Sequence, residues 1–520
     1  MNRRAFLSGR FASGSRTGSS FSPQERSLTT GLEAYSGPWD AVHASHLLRR
    51  TMMMPKWSEI STLLSKTSSE AVDLLLSTPS TPTAPTVATH DTESTDGLDA
   101  VLVAQLRGVW ASDWGALQTW WANVMVDSPL SIVEKMTFFW SGHFTTQFNL
   151  DSTDYVQAPL LYLQNSMFRQ VGLGNFQDMV FDVTLNGAML VFLGGDLNYK
   201  GRPNENYARE LMELYTMGLG HYSEGDVREA ARILTGWHIA RYNDKPAPNG
   251  LFVPYFTPLH HDQGAKQFLG HSFPAIADAE NTEDLVRKGE ITKLIDVIFQ
   301  ERADEIAKFI CTKIYHFFVY SNPGGGDLKV IDEMATLFKT SDFDIKIVIE
   351  KLLKSAHFFD NANIGAQVKT PAEFVIGLAR QLGYKTNMAS TMTSMLQSIF
   401  QPPNVSGWTG WHDWITTNTF PVRSAASAAA IAGMNDQLTG TFITQFPNNN
   451  DAHKLIDAVG ALMLPRPLSK ARHDDLVNRL VAGGKDYEWP TILSDSPATA
   501  ARNMRDVLTA ITTLPDFQLC

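Results

Sequence analysis

The densest group of polar side chains that could do chemistry lies in residues 203–215, which read PNENYARELMELY. At about 100° per residue, a helix places Asn206, Arg209, Glu210 and Glu213 within one arc. The two carboxylates could ligate a divalent metal or act as general acid and base, and the arginine could clamp an anion. A solvated face with an Arg209–Glu213 pair, four residues apart, would give the same pattern.

A second candidate is the run His260-His261-Asp262 within residues 251–273. Histidine and aspartate on a loop can ligate a metal or form an acid–base pair. Neighbouring residues of an extended chain point in opposite directions, so we expect His260 and His261 to serve different sites. His143 ends a hydrophobic stretch, and this position is more typical of a core or capping histidine than of a ligand.

A third candidate is the loop at residues 401–414, which reads QPPNVSGWTGWHDW. Its prolines and glycines indicate a rigid loop, and loops carry function more often than cores do. Asn404 and Trp408 on such a loop could line a pocket. The alternative is a loop that only packs one helix against another.

Several classes of chemistry lack support in this sequence. It contains no HExxH, GxSxG, Walker or GxGxxG motif. Its two cysteines, Cys311 and Cys520, cannot build a zinc or iron–sulfur centre. The net charge of -11 argues against a general binder of nucleic acid or of anionic membranes. The apolar stretches are too short to span a bilayer.

The elements that must position these residues are mainly helical, and we expect one large bundle-like domain over residues 41–520. Residues 77–97 are rich in Ser, Thr and Pro and predict a loop. Short apolar runs around turn residues predict a small, irregular β-hairpin insertion near 250–273. Helical spacing predicts helices over 98–126, 129–144, 153–170, 175–192, 204–218, 224–236, 282–320, 328–357, 370–383 and 419–435, and weaker patterns cover 451–463, 469–482 and 499–513.

Residues 1–40 are expected to form a flexible tail. The paired Arg3 and Arg4, followed by Phe6 and Leu7, are similar to the start of a twin-arginine export signal. Such a signal also needs about 7–15 apolar residues, whereas residues 8–30 are polar. The expected location is therefore periplasmic or secreted if the signal works, and otherwise cytoplasmic.

Several long motifs in order resemble the bacterial family catalogued as domain of unknown function 1800, over about residues 42–520. The motifs are NENYARELMEL at 204–214 with EAARILTGW at 229–237, HDQGAKQFLG at 261–270, KTPAEF at 369–374, QPPNVSGW at 401–408 and PDFQL at 515–519. One departure is Thr51–Lys56, which stands where the family tends to have a glycine-rich turn.

The resemblance implies a mainly helical fold without an established activity. Family members often look like twin-arginine export substrates. Their genes often neighbour a sulfatase-like family, domain of unknown function 1501, which implies a partner. The motif positions raise a set of site candidates: Asn206, Arg209, Glu210, Glu213, His261, Asp262, Lys266, Asn404 and Trp408.

Three functions fit these observations. The favoured hypothesis is an extracytoplasmic enzyme acting on a polymer, in which Arg209, Glu210, Glu213, His261 and Asp262 are catalytic and Asn206, Lys266, Asn404 and Trp408 bind substrate. Glu210, Glu213 and His261 could hold a divalent metal in that site. The second hypothesis is a non-catalytic export or assembly partner of the sulfatase-like protein. The third is a helical scaffold with a buried ion network.

Overall fold

A computed structural model describes residues 28, 30–86, 100–148, 157–239 and 252–520. The prediction of a mainly α fold is confirmed, because helices dominate the described residues and the strands form two small sheets. The twin-arginine-like start lies outside the described residues, as do residues 87–97 of the Ser/Thr/Pro-rich loop. No helix in the described ranges is both long and apolar enough to cross a membrane.

The first half of the described chain holds ten α-helices, most of which begin at a side-chain cap or a proline. They are α1 Ala41–Thr51, α2 Trp57–Leu64, α3 Ser68–Ser77, α4 Ala100–Asp127, α5 Val133–His143, α6 Ala158–Val171, α7 Phe176–Thr184, α8 Gly187–Phe192, α9 Glu205–Glu210 and α10 Glu224–Ile233. Helix α9 continues directly into a π-helix, Leu211–Thr216. Asn204 caps α9 and Ser223 caps α10 with a capping box, as the sequence predicts.

The second half follows the same pattern. Its helices are α11 Glu283–Leu285, α12 Thr292–Glu301, α13 Ala303–Phe318, α14 Gly326–Thr340, α15 Ile345–Leu353, α16 Pro371–Leu382, α17 Met388–Ser394, α18 Thr419–Ala432, α19 Asp436–Thr444, α20 Ala452–Met463, α21 Lys470–Leu480, α22 Trp489–Asp495 and α23 Pro497–Thr512. A second π-helix, Val286–Ile291, joins α11 to α12.

Three predicted helices are interrupted. The stretch 175–192 breaks at residues 185–186, between α7 and α8. The stretch 282–320 breaks at Arg302, whose backbone dihedral angles are not helical. Helix α12 ends just before this residue, and α13 begins just after it. The stretch 328–357 breaks at Asp342 and Phe343, which both have positive φ. Asp344 then caps α15 by accepting from the backbone of Ile347. Apolar spacing continues across such breaks, so periodicity alone did not reveal them.

The predicted β insertion is confirmed in outline. Strand β3, Lys266–Phe268, pairs antiparallel with β4, His271–Phe273, through a two-residue turn. Both turn residues have positive φ, as a twisted hairpin requires. Strand β2, Pro254–Phe256, pairs instead with β1, Trp237–Ile239, which lies outside the predicted segment.

Residues 30–40 pack against the helical body. Leu32 is buried in the core, and Ala34 forms an antiparallel bridge with Ser355. The ring of Tyr35 lies 4.4 Å from that of Phe359. The packed part of the chain therefore begins before Ala41.

Helix α16 lies in the middle of the fold, because all of its residues are buried. A helix that is covered on every side must be surrounded by other elements. Its capping box joins Thr370 to Glu373, and Glu373 also pairs with Lys135 of α5. The rings of Phe139 on α5 and Phe317 on α13 lie 5.1 Å apart. Helices α5, α13 and α16 therefore meet, and the candidate site lies where they do.

Candidate functional site

Helices α5 and α13, the start of α16 and the loop at 401–414 border an open cavity of about 600 Å³. Cavities of this size, with mostly apolar walls and a few polar groups, are the usual form of a small-molecule site. Six large aromatic side chains form part of its wall, beside many polar groups: Phe138, Phe139, Phe317, Trp408, Trp411 and Trp414.

The loop at 401–414 is held closely against the end of α5. Gly407 has a φ of +82°, and a Cβ there would lie 2.5 Å from the carbonyl oxygen of Gly142. Thr145 donates to the carbonyl of Val405 at 2.6 Å. Trp411 also has a positive φ, of 54°. Backbone strain in a residue that lines a cavity is a feature of functional sites.

His143 and Lys313 form a hydrogen-bonded pair at the cavity wall. His143 Nε2 lies 3.0 Å from the carbonyl oxygen of Tyr215, so this nitrogen carries the proton. His143 Nδ1 is therefore an acceptor, and Lys313 Nζ lies 3.0 Å from it. Lys313 also donates to the carbonyl of Leu214 at 3.1 Å. Burial lowers the pKa of Lys313 to about 8, and burial and the lysine charge hold the pKa of His143 well below its usual range.

His316 follows Lys313 by one helical turn on α13, so both side chains face the same cavity. Burial, and then the charge of Lys313, lowers the pKa of His316. The imidazole is therefore neutral at pH 7. Its ring nitrogens have no hydrogen-bond partner within the described part of the chain, although its backbone carbonyl accepts from Gln367 at 2.5 Å. A neutral histidine that faces a cavity in this way can accept a proton from a ligand.

Glu373 is the carboxylate in the cavity interior, and both of its oxygens are engaged. Oε1 pairs with Lys135, and Oε2 accepts from the backbone of Thr370 at 2.7 Å. Burial alone would raise the pKa of Glu373, but Lys135 and Thr370 outweigh burial and lower it. Gln397 lies beside this pair and is 1% exposed. Its Oε1 accepts from the backbone of Ala372 at 2.8 Å.

The helix formed by α9 and the π-helix contributes to the cavity through its backbone. Helix ends leave carbonyl groups without intrahelical partners. Here the carbonyls of Leu214 and Tyr215 are the acceptors for Lys313 and His143. π-Helical segments occur frequently at functional sites. The polar motif at 203–215 is therefore adjacent to the cavity, although the motif side chains do not line it.

Two of the charged side chains predicted to share one face of α9 pair instead with residues that were not among the predicted site residues. Arg209 donates to Glu224 at 2.8 Å and 3.0 Å and to Glu205 at 3.2 Å. Glu213 accepts from the hydroxyl of Tyr222 at 2.5 Å, so the expected Arg209–Glu213 pair is not what forms. Asn206 is exposed.

The candidates near the β insertion form two further groups. His261 is fully buried, with Nδ1 2.9 Å from the carbonyl of Thr235 and Nε2 3.1 Å from Glu290. Lys266 donates to Glu290 at 2.6 Å and is also buried. Asp262 accepts from Arg232 at 2.8 Å, and this pair is only partly buried.

The structure thus does not bring the predicted residues into one site. Arg209, Asp262 and the neighbours His261 and Lys266 lie in three separate ion-pair groups, and Trp408 alone lies in the cavity wall. Asn404 holds the loop by accepting from the backbone of Ser406 at 2.8 Å. Across the described residues, no three or more His, Cys, Asp or Glu side chains are arranged to hold a metal ion. The predicted ligands Glu210, Glu213 and His261 are therefore not part of such a group.

Sequence reasoning did not single out Lys313, His316 or Gln397. One signal was present, because Lys313 and His316 are spaced three apart in the otherwise apolar stretch 309–318, FICTKIYHFF. Polar residues within a helix that is apolar on both sides must be buried or must face a cavity. No comparable signal marks Gln397, which lies outside a regular helix.

The fold and the cavity define a mainly α protein with a site that combines aromatic walls with a lysine and three histidines. The chain belongs to the family described as Protein of unknown function (DUF1800), whose family model matches residues 46–519. No curated protein and no solved structure matches the chain.

Proposed function

We propose that this protein is an enzyme that performs acid–base chemistry in the aromatic cavity. The observation that carries the proposal is the ring of His316, which lines the cavity without a hydrogen bond to any described residue. His316 is only partly buried, so its ring can be reached from the cavity, and an imidazole in this position is suited to a partner that comes from outside. Its lowered pKa keeps it in the form that accepts a proton at pH 7.

Lys313 is placed to assist that chemistry. Its ammonium group already donates to His143 and to the carbonyl of Leu214, so its position is fixed before a ligand arrives. A cation one helical turn from the base stabilises negative charge that develops on a substrate when His316 removes a proton. His143 is a positioning residue, since it accepts from Lys313 and not from the ligand.

The walls of the cavity support a substrate with a ring or another flat apolar part. Aromatic side chains bind such groups by stacking and by burial of apolar surface. Trp411 is only partly buried and lies next to the exposed His412 and Asp413, so the cavity opens at this rim. An open rim supports a substrate longer than the cavity, such as a segment of a polymer.

A comparison of two variants tests the proposal. The purified protein is assayed on a panel of 4-nitrophenyl esters and glycosides, with His316→Gln and Glu210→Gln in parallel. Loss of a general base costs about 10²–10⁴-fold in rate, so His316→Gln should lower turnover by that factor. Glu210→Gln should retain most of the turnover, because the polar face of α9 lies outside the cavity.

The reverse result, a loss in Glu210→Gln alone, would place the site on α9 and reject the cavity. Turnover of no substrate by the unmodified protein would count against a hydrolytic enzyme. Export from the cytoplasm rests on the twin-arginine-like start and on the family resemblance, and it stays a prediction. A sulfatase-like partner rests on the family resemblance and also stays a prediction.

A further inference from the structure

Cationic and neutral hydrogen-bond donors line the cavity beside two carboxylates, Glu373 in the interior and the exposed Asp413 at the rim. Lys313 and Arg50 line it as cations, and Thr370 and Gln397 line it as neutral polar groups. The interior carboxylate, Glu373, has both oxygens engaged by protein groups and offers little to a ligand.

Gln397 is the donor whose orientation is best defined. The backbone N–H of Ala372 needs an acceptor, so Oε1 of Gln397 must face it and the orientation of the amide is fixed. Nε2 therefore points away from Ala372, and it has no acceptor among the described residues. A side chain that is 1% exposed and lines the cavity thus has two N–H groups available to a ligand.

Positive charge also lies behind this wall. Lys369 and Arg423 are both buried, and Arg423 donates to the carbonyl of Lys369 at 2.7 Å. The Nε of Arg423 has no hydrogen-bond partner within the described structure. Fixed charges in a desolvated region act over longer distances than charges at the surface. Burial lowers the pKa of Lys369 well below its usual range, whereas the pKa of Arg423 is lowered only to about 10. The field of the Arg423 guanidinium therefore favours negative charge inside the cavity.

We infer that the ligand of the cavity is an organic anion, with a ring against the aromatic walls and an oxyanion near Gln397, Thr370 and Lys313. The inference rests on the proposed function in one respect, since it takes the cavity as the working site. Carboxylate, sulfonate or sulfate, and phosphate groups share the required chemistry, because each presents several acceptor oxygens with negative charge. The cavity volume of about 600 Å³ accommodates a ring together with such a group.

Four probes with one phenyl ring each test the inference by isothermal titration calorimetry on the full chain. Benzoate, benzenesulfonate and phenyl phosphate carry the three kinds of oxyanion, and benzyl alcohol carries none. At least one anion should bind tenfold or more tightly than benzyl alcohol. The order of the three anions then identifies the preferred oxyanion.

The variant Gln397→Glu keeps the acceptor for Ala372 and replaces the two N–H groups with a charged oxygen. It should lose the preference for anions and retain the binding of benzyl alcohol. Lys470→Gln, on an 88% exposed side chain of α21, is the control, since it changes the net charge by the same -1. If Gln397→Glu does not fold by circular dichroism, Lys313→Met replaces it, with the same expected loss.

The outcomes separate the two proposals. Equal binding of benzyl alcohol and the anions, or an unchanged preference in Gln397→Glu, would overturn the anion inference and leave the cavity as a site. Binding of none of the four probes would reject both the inference and the cavity. Loss of the preference in Lys470→Gln would assign it to general surface charge and would also overturn the inference.

Discussion

The polar face of α9 and the aromatic cavity carry similar side chains in opposite environments. On α9, Arg209 is 31% exposed and its partner Glu224 is 67% exposed. In the cavity region, Lys135 is 1% exposed and its partner Glu373 is 9% exposed. The motif that is richest in charge along the sequence therefore forms ordinary surface pairs. The groups suited to chemistry are those that the fold has removed from water.

The two regions are nevertheless connected. The π-helix that continues α9 ends beside α5 and α13, and its carbonyls hold His143 and Lys313. The motif at 203–215 thus supports the cavity through backbone groups, while its charged side chains secure the turn to α10. A dense polar motif can be required for a site without contributing side chains to it.

Of the single substitutions in the two regions, Glu373→Gln is expected to lower the free energy of unfolding the most. This change keeps an oxygen for Thr370 but leaves Lys135 as a buried charge without its carboxylate. Removal of one partner from a buried pair typically costs about 3–5 kcal/mol. The free energy of unfolding, measured in urea, should fall by that amount.

The double variant Lys135→Met with Glu373→Gln is the control, because it removes the uncompensated charge as well. It should recover part of the lost stability. A loss below about 1 kcal/mol in Glu373→Gln would mean that water reaches the pair, and the contrast with α9 would then fail.

The second prediction concerns the pKa of Lys313. A lysine whose pKa is lowered to about 8 reacts with a small amine reagent at a lower pH than other lysines do. Labelling with trinitrobenzenesulfonate, followed by peptide mass spectrometry, should show half-maximal rate at Lys313 near pH 8. Lys470 is exposed and supplies the comparison within the same sample.

The same shift has a consequence for stability. Between pH 8 and the ordinary lysine value near 10.4, the unfolded chain binds a proton at this position that the folded chain does not. The contribution of Lys313 to the free energy of unfolding should therefore rise with pH across that window. Lys313→Met should lack this rise, and an identical pH profile in the two proteins would contradict the shifted pKa.

The smallest effect is expected in Arg209→Gln, the surface counterpart of Glu373→Gln. Exposed ion pairs contribute about 0.2–1 kcal/mol, and salt screens them. Urea unfolding at low and high salt should show a small loss that shrinks as salt is added. A loss of several kcal/mol would indicate that the polar face of α9 is a buried network in solution.

Much of the fold could be predicted from the sequence. Apolar spacing placed the helices, and Asn204, Ser223 and the 251–273 segment marked two caps and a hairpin correctly. These features depend on neighbours within a few residues, so local pattern is enough to predict them. The helix breaks at Arg302 and Asp342 were missed, because apolar spacing continues through both.

The partners of charged side chains could not be predicted in the same way. Helical spacing predicted a pair between Arg209 and Glu213. In the structure, the turn between the π-helix and α10 brings Glu224 within hydrogen-bond distance of Arg209 instead. His261 and Asp262 are adjacent in the chain but face Glu290 and Arg232 respectively. Several partners were compatible with the pattern, and the distances that decide between them are set by tertiary packing.

The helical class, the family and the aromatic loop at 401–414 could all be identified from the sequence. The position of the cavity depends on tertiary packing, because its wall joins α5, α13, α16 and that loop across more than 270 residues of chain. Burial, which makes His316 neutral and lowers the pKa of Lys313, is a property of that assembly. Residue type alone therefore could not distinguish these two side chains from the more conspicuous ones on α9.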